Sequence, residues 1–188
     1  MTEPRASRAL PAGYGLTERI DLIKNKRQLW LVNALSLVLL VLTAVLGLCL
    51  RPWEWSSWTL STSLLALAGI CLYIVGHEAV HGAAMWLLSH EKPRFGFSLM
   101  YAYAGSDAYF SKGPYLLISL APVVLWGLLL AALTALLPDA WFWPLWIIQI
   151  TNISGAAGDF YVFFKILSKP DSVLVQDTGT AMTVYERL

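Results

Sequence analysis

Four apolar stretches, near residues 29–50, 58–88, 115–137 and 141–167, each run long enough to cross a hydrocarbon core, which takes about 20 helical residues. The second and fourth exceed that need, so they should tilt or project beyond the bilayer. Composition agrees: 57% of the 188 residues are hydrophobic and 13% are charged, against about a quarter charged in a soluble domain. The chain reads as an all-α polytopic membrane protein with four transmembrane helices.

Charge placement orients the spans. Residues 1–28 are polar and include Arg5, Arg8, Arg19, Lys24, Lys26 and Arg27, and the first apolar run is too long for the core of a cleavable signal. If the N-terminus is cytoplasmic, segments 1–28, 89–114 and 168–188, with adjoining span ends, hold twelve of the thirteen Lys and Arg; Arg51 is the exception. The positive-inside rule then puts both termini in the cytoplasm. Trp53, Trp55 and Trp58 flank the first outer loop and Trp141, Trp143 and Trp146 follow the second, as one interfacial aromatic belt would require. A net charge of +1 with basic residues that follow topology argues against a nucleic-acid partner. Cys49 and Cys71 lie in apolar spans without metal spacing and read as small buried hydrophobes rather than a disulfide.

Of twelve acidic residues, Glu78 and Asp159 fall well inside the spans, and so do two of three histidines, His77 and His81. Intramembrane charge costs at least about 2.5–3.5 kcal/mol per group, so such residues usually mark function. The stretch "HEAVH" matches H-E-x-x-H. Residues four apart share a helix face, so both imidazoles can reach one metal ion, and the glutamate beside the first is placed to act as a base on water. Two neutral histidines bonded to neighbouring helices would leave Glu78 without an evident partner.

A catalytic zinc generally takes three protein ligands. The soluble metzincin pattern would need a histidine at position 87, which is Leu87. His90 is off the helical repeat and near the boundary; Asp107, in the following connection, stays open on spacing alone. Asp159 fits better. His77 lies 19 residues past Trp58 and Asp159 lies 18 past Trp141, on spans that run the same way. At about 1.5 Å per residue, both sit some 27–29 Å below the outer belt. The small residues Ser154, Gly155, Ala156, Ala157 and Gly158 before Asp159 permit close helix approach. The competing reading is a packing seam with Asp159 paired to Lys165. Asn152, about two turns before Asp159, can hold a substrate carbonyl or oxyanion, or make an interhelical hydrogen bond. Gly76 and Gly82 bracket the motif and read as packing glycines.

Beyond the second span, Phe95, Phe97, Leu99, Tyr101 and Tyr103 alternate with smaller residues, a period of two that predicts a strand. "AGSD" offers a turn and "AYFS" a return strand, giving a hairpin at about 93–112 whose edge can hold an extended substrate. In the tail, Val173 and Val175 alternate with polar neighbours, "DTG" turns and "AMTVYE" returns as a second hairpin. The expected division is a cytoplasmic segment 1–28, a four-helix membrane domain 29–167 and a cytoplasmic hairpin tail 168–188.

The "HEAVHG" helix, a following hairpin and the later "NISGAAGDF" together resemble intramembrane zinc metalloproteases of the site-2 protease type. More closely, the chain resembles a family of small bacterial membrane proteins described as "putative zincin peptidases". That similarity runs from "LPAGYGLTERIDLIKNK" through "LAP" in the third span to "KPDSVLVQD". It implies zinc ligands at His77, His81 and Asp159, with Glu78 as the catalytic glutamate. Phe160 stands where site-2 proteases usually have a glycine after the ligand aspartate, so the resemblance does not extend to a role for Asn152. The expected function is a Zn2+-dependent endopeptidase of the bacterial inner membrane. It would cut membrane protein or peptide substrates near the cytoplasmic leaflet, with a homo-oligomer an open alternative to a single chain. The competing function is a non-proteolytic metal-binding membrane protein, as sensor, transporter or structural subunit.

Overall fold

The computed structural model describes residues 5–22, 24–53, 58–97 and 102–188. It is mostly helical, with two antiparallel sheets gathered at one end of the helices. Three helices are long and apolar enough to cross a membrane: α1 (Lys26–Leu50), α2 (Leu60–Ser89) and α3 (Lys112–Leu136). Asn25 caps α1 by accepting from the N–H groups of Arg27 and Gln28. Thr59 and Thr62 form a reciprocal capping box at the start of α2, satisfying donors that a helix start leaves open. Leu37, Leu42, Leu64, Leu72 and Leu128 are each more than half exposed, an outer surface suited to lipid rather than water.

The fourth apolar stretch, expected as one helix, is broken into α4 (Phe142–Gly155) and α5 (Ala157–Leu167), after a 3-10 turn at Asp139–Trp141. The break falls at Ala156, whose N–H reaches the carbonyls of Asn152 and Ser154. Gly155 and Gly158 flank it, and glycine weakens a helix by about 1 kcal/mol relative to alanine. The interruption places Asp159 in the first turn of α5, where the partial positive charge of a helix start favours a carboxylate.

Small residues set the packing of α1 on α4. Gly47 leaves the space that the Trp146 indole fills, and that indole donates to the Thr43 carbonyl at 3.0 Å. The Ser36 hydroxyl donates to the Ser154 carbonyl at 2.9 Å. At the far end from the sheets, the Trp53 ring lies 4.9 Å from Trp58 and 4.7 Å from Trp143, so the two tryptophan groups meet at one level. Trp55 lies outside the described residues. Cys49 and Cys71 are free, but both are exposed on the apolar helices rather than buried.

The larger sheet has strand order β1-β5-β6-β7-β2, with β1 (Ala6–Ser7), β2 (Tyr14–Ile20), β5 (Tyr109–Ser111), β6 (Leu174–Asp177) and β7 (Met182–Arg187). The N-terminal segment thus contributes both edge strands. Ile20, Phe110, Val173, Val175 and Val184 pack beneath it against Met85 of α2, Ile118 of α3 and Ile166 of α5, all essentially buried. The smaller sheet pairs β3 (Arg94–Phe97) with β4 (Ala102–Gly105). The alternation over 95–103 therefore resolves into two paired strands instead of one, with 98–101 outside the described residues. "AYFS" does form a strand, β5, but it pairs with β1 and β6. The tail hairpin forms as β6 and β7.

Candidate metal centre

The site begins with helix periodicity. Tyr73, His77 and His81 follow one another at intervals of four along α2 and so share a face. Asp159, from the first turn of α5, meets both imidazoles: its Oδ2 lies 3.2 Å from His77 Nε2 and its Oδ1 lies 3.4 Å from His81 Nε2. One ligand atom from each of the three residues falls within 4.8 Å of the others, and the group can hold a metal ion.

The opposite nitrogens are occupied. His77 Nδ1 is 2.9 Å from the Tyr73 hydroxyl, and His81 Nδ1 is 3.0 Å from the Ile118 carbonyl oxygen. That carbonyl is available because Pro122, inside α3, has no N–H to return to it. A carbonyl can only accept, so His81 carries its proton on Nδ1 and a neutral ring presents the Nε2 lone pair to Asp159. A lone pair and a carboxylate facing each other at 3.4 Å repel unless a cation lies between them. A proton on each Nε2 answers this, with the Tyr73 hydroxyl then donating to His77 Nδ1; so does one metal ion shared by both rings. The spacing of these two nitrogen–oxygen pairs fits as well. Ligands about 2.0–2.1 Å from a tetrahedral zinc lie about 3.3–3.4 Å apart. Fixing the far ring nitrogen by a hydrogen bond is how metal-binding histidines are usually oriented. The donor set therefore suits zinc.

Glu78 points differently. The Ala104 backbone of β4 lies beside its carboxyl, which brings the small sheet against the candidate metal group. Gly82 serves that approach, since a Cβ there would strike the Phe95 ring of β3; Gly76 instead admits α3, where a Cβ would strike the Trp126 indole.

Asn152 is fully buried. Its Nδ2 donates to the Val123 carbonyl at 3.2 Å, which is the interhelical bond between α4 and α3, while its Oδ1 has no hydrogen-bond partner among the described residues. The competing ligand candidates lie elsewhere. Asp107 is exposed and ion-paired with Arg94. His90 caps the end of α2 in a left-handed conformation, φ 55°. Lys165, a competing partner for Asp159, pairs with Glu18. Tyr73 and the Ile118 carbonyl were not singled out by sequence. The i−4 spacing from His77 marks Tyr73, and "LAP" marks the proline that frees Ile118.

A family model described as "Putative zincin peptidase" matches residues 69–174, a span that includes Tyr73, the HEAVH segment, Pro122 and Asp159. No curated protein and no solved structure matches the chain. With more than half its length inside that match, the chain belongs to the family described as "putative zincin peptidase".

Proposed function

We propose that the protein is a membrane-embedded zinc endopeptidase, similar in site design to the site-2 protease type. The observation that carries this reading is the convergence of His77 Nε2, His81 Nε2 and Asp159 on one point, with Glu78 as the adjoining carboxylate. His77, His81 and Asp159 would hold the ion. When bound, zinc supplies Lewis acidity toward water and toward the carbonyl of the bond to be cut.

The remaining work belongs to the chain. Glu78 takes a proton from the attacking water as the oxygen adds to the peptide carbonyl carbon. When the C–N bond breaks, Glu78 returns that proton to the leaving nitrogen, so proton and electron pair balance across the step. Tyr73 and the Ile118 carbonyl keep the imidazoles oriented. Asn152 holds α4 to α3 and so fixes the helix that leads to Asp159. Strand β3 is paired on one side within its two-stranded sheet, and an extended substrate can add to its other edge.

In this account α4 and α5 together make a fourth, interrupted crossing, a form that broken membrane helices take where they line a site. Both termini and the two sheets then face the cytoplasm of a bacterial inner membrane, and substrates are membrane proteins or peptides reached near that leaflet. The test is Glu78→Gln in the purified, zinc-loaded protein. Zinc content should stay at the wild-type level while peptide hydrolysis is lost; full hydrolysis by the variant would overturn the proposal.

A further inference from the structure

Asp177 ends strand β6, beyond the residues that the family model matches, and it is tied in three directions. The Tyr115 hydroxyl donates to its Oδ2 at 2.7 Å, and the Gly179 N–H donates to its Oδ1 at 2.8 Å. Its own carbonyl accepts from the Ser106 N–H at 2.7 Å. The first tie leads into the membrane helices. Tyr115 is 2% exposed in α3, three residues before Ile118, whose carbonyl meets His81. The third leads to the small sheet, because Ser106 follows β4 directly and the Ala104 backbone of β4 lies beside Glu78.

Strand and turn are packed backbone to backbone. A Cβ at Gly105 would run into the Thr178 backbone, and one at Gly179 into the Tyr103 ring and the Ala104 carbonyl. Gly179 also has φ +81°, which L side chains rarely adopt. A residue that merely capped the 177–181 turn would need the Gly179 bond alone. The side-chain bond to Tyr115 goes further, and the main-chain bond from Ser106 carries the tie on to β4. They link the helix that orients His81 to the strand that touches Glu78.

We infer that Asp177 is a positioning residue that ties the C-terminal hairpin to α3 through Tyr115 and to β4 through Ser106, and so sets where Ala104 meets Glu78. The working role of Glu78 rests on the proposed peptidase function; the tie itself does not. Burial pushes the Asp177 carboxyl above its ordinary value, opposed by the Gly179 N–H and the Tyr115 hydroxyl. A carboxylate there gains from accepting two hydrogen bonds more strongly than a neutral amide does.

The experiment is hydrogen exchange read by mass spectrometry on the full-length, zinc-loaded protein in lipid nanodiscs, comparing wild type with Asp177→Asn, Tyr115→Phe and the double variant. Protection across residues 102–110 should fall about tenfold in each single variant, and the double variant should lose little more, since both remove one shared tie. Protection across 73–85 and zinc content should stay unchanged. Unchanged protection of 102–110 in both single variants would overturn the inference. So would an equal loss across 73–85 with loss of zinc, which would mark a general structural role. If wild-type protein hydrolyses no peptide, the peptidase proposal fails while the exchange data still decide the tie. If it does hydrolyse, both variants should lower kcat more than they raise KM.

Discussion

His81 Nδ1 lies 3.0 Å from the Ile118 carbonyl oxygen, an acceptor inside α3 that is left free because Pro122 follows four residues later. The proline weakens α3 and fixes a histidine of the candidate metal centre by the same missing N–H.

Pro122→Ala should separate these two effects. It restores an N–H that draws the Ile118 carbonyl back into the α3 ladder, and a proline inside a helix costs about 3 kcal/mol. The variant should be at least as stable to heat as wild type, yet bind zinc about 10- to 100-fold more weakly. Thermal unfolding and competition with a chromophoric chelator measure the two quantities; unchanged zinc affinity would break the link.

Tyr73→Phe probes the other imidazole. Tyr73 is 3% exposed and its ring packs edge-on to Trp126 at 5.6 Å, so phenylalanine keeps the packing and removes the hydroxyl on His77 Nδ1. Stability should fall by about 0.5–1.5 kcal/mol and zinc affinity by about tenfold or more. A variant that binds zinc as wild type does would remove Tyr73 from the site.

Glu18 on β2 joins the sheet to the end of α5 and the segment beyond, through Lys165 and through Lys169 at 3.2 Å. Burial alone would raise its carboxyl, but the two ammonium groups outweigh this and hold it below its ordinary value of 4.5. A carboxyl lowered in the folded protein binds fewer protons there than in the unfolded chain. Its contribution is therefore complete above about pH 4.5 and is lost as pH falls through the folded value. Glu18→Gln should melt below wild type at pH 7, with the difference closing in acid. A difference in melting temperature that is the same at pH 7 and pH 3 would contradict this.

Gly47→Ala should loosen α1 from α4, because the added Cβ meets the Trp146 indole. Overpacking of this kind costs about 1–3 kcal/mol, to be read as a lowered unfolding temperature in detergent. Zinc affinity should hold within twofold, since the contact is remote from His77 and His81.

The site was legible in the sequence to the extent that it follows from helix periodicity and depth. The four-residue spacing put His77 and His81 on one face, and counting from Trp58 and Trp141 gave Asp159 the depth at which it meets them. What local pattern does not encode went unread. Apolar content over 141–167 hid the break at Ala156, since hydropathy is blind to a helix interruption. Alternation over 95–103 does not tell one strand from two that pair with each other, so β3 and β4 read as one. Asp177 and Tyr115 are 62 residues apart, and no spacing rule connects them.

X-ray absorption at the zinc edge tests the central claim most directly, using purified protein loaded with one equivalent of zinc. The account predicts two imidazole nitrogens and a carboxylate oxygen at about 2.0–2.2 Å, with the oxygen contribution altered in Asp159→Asn and one imidazole lost in His81→Ala. A zinc environment unchanged by both substitutions, or no zinc retained by wild type, would contradict it.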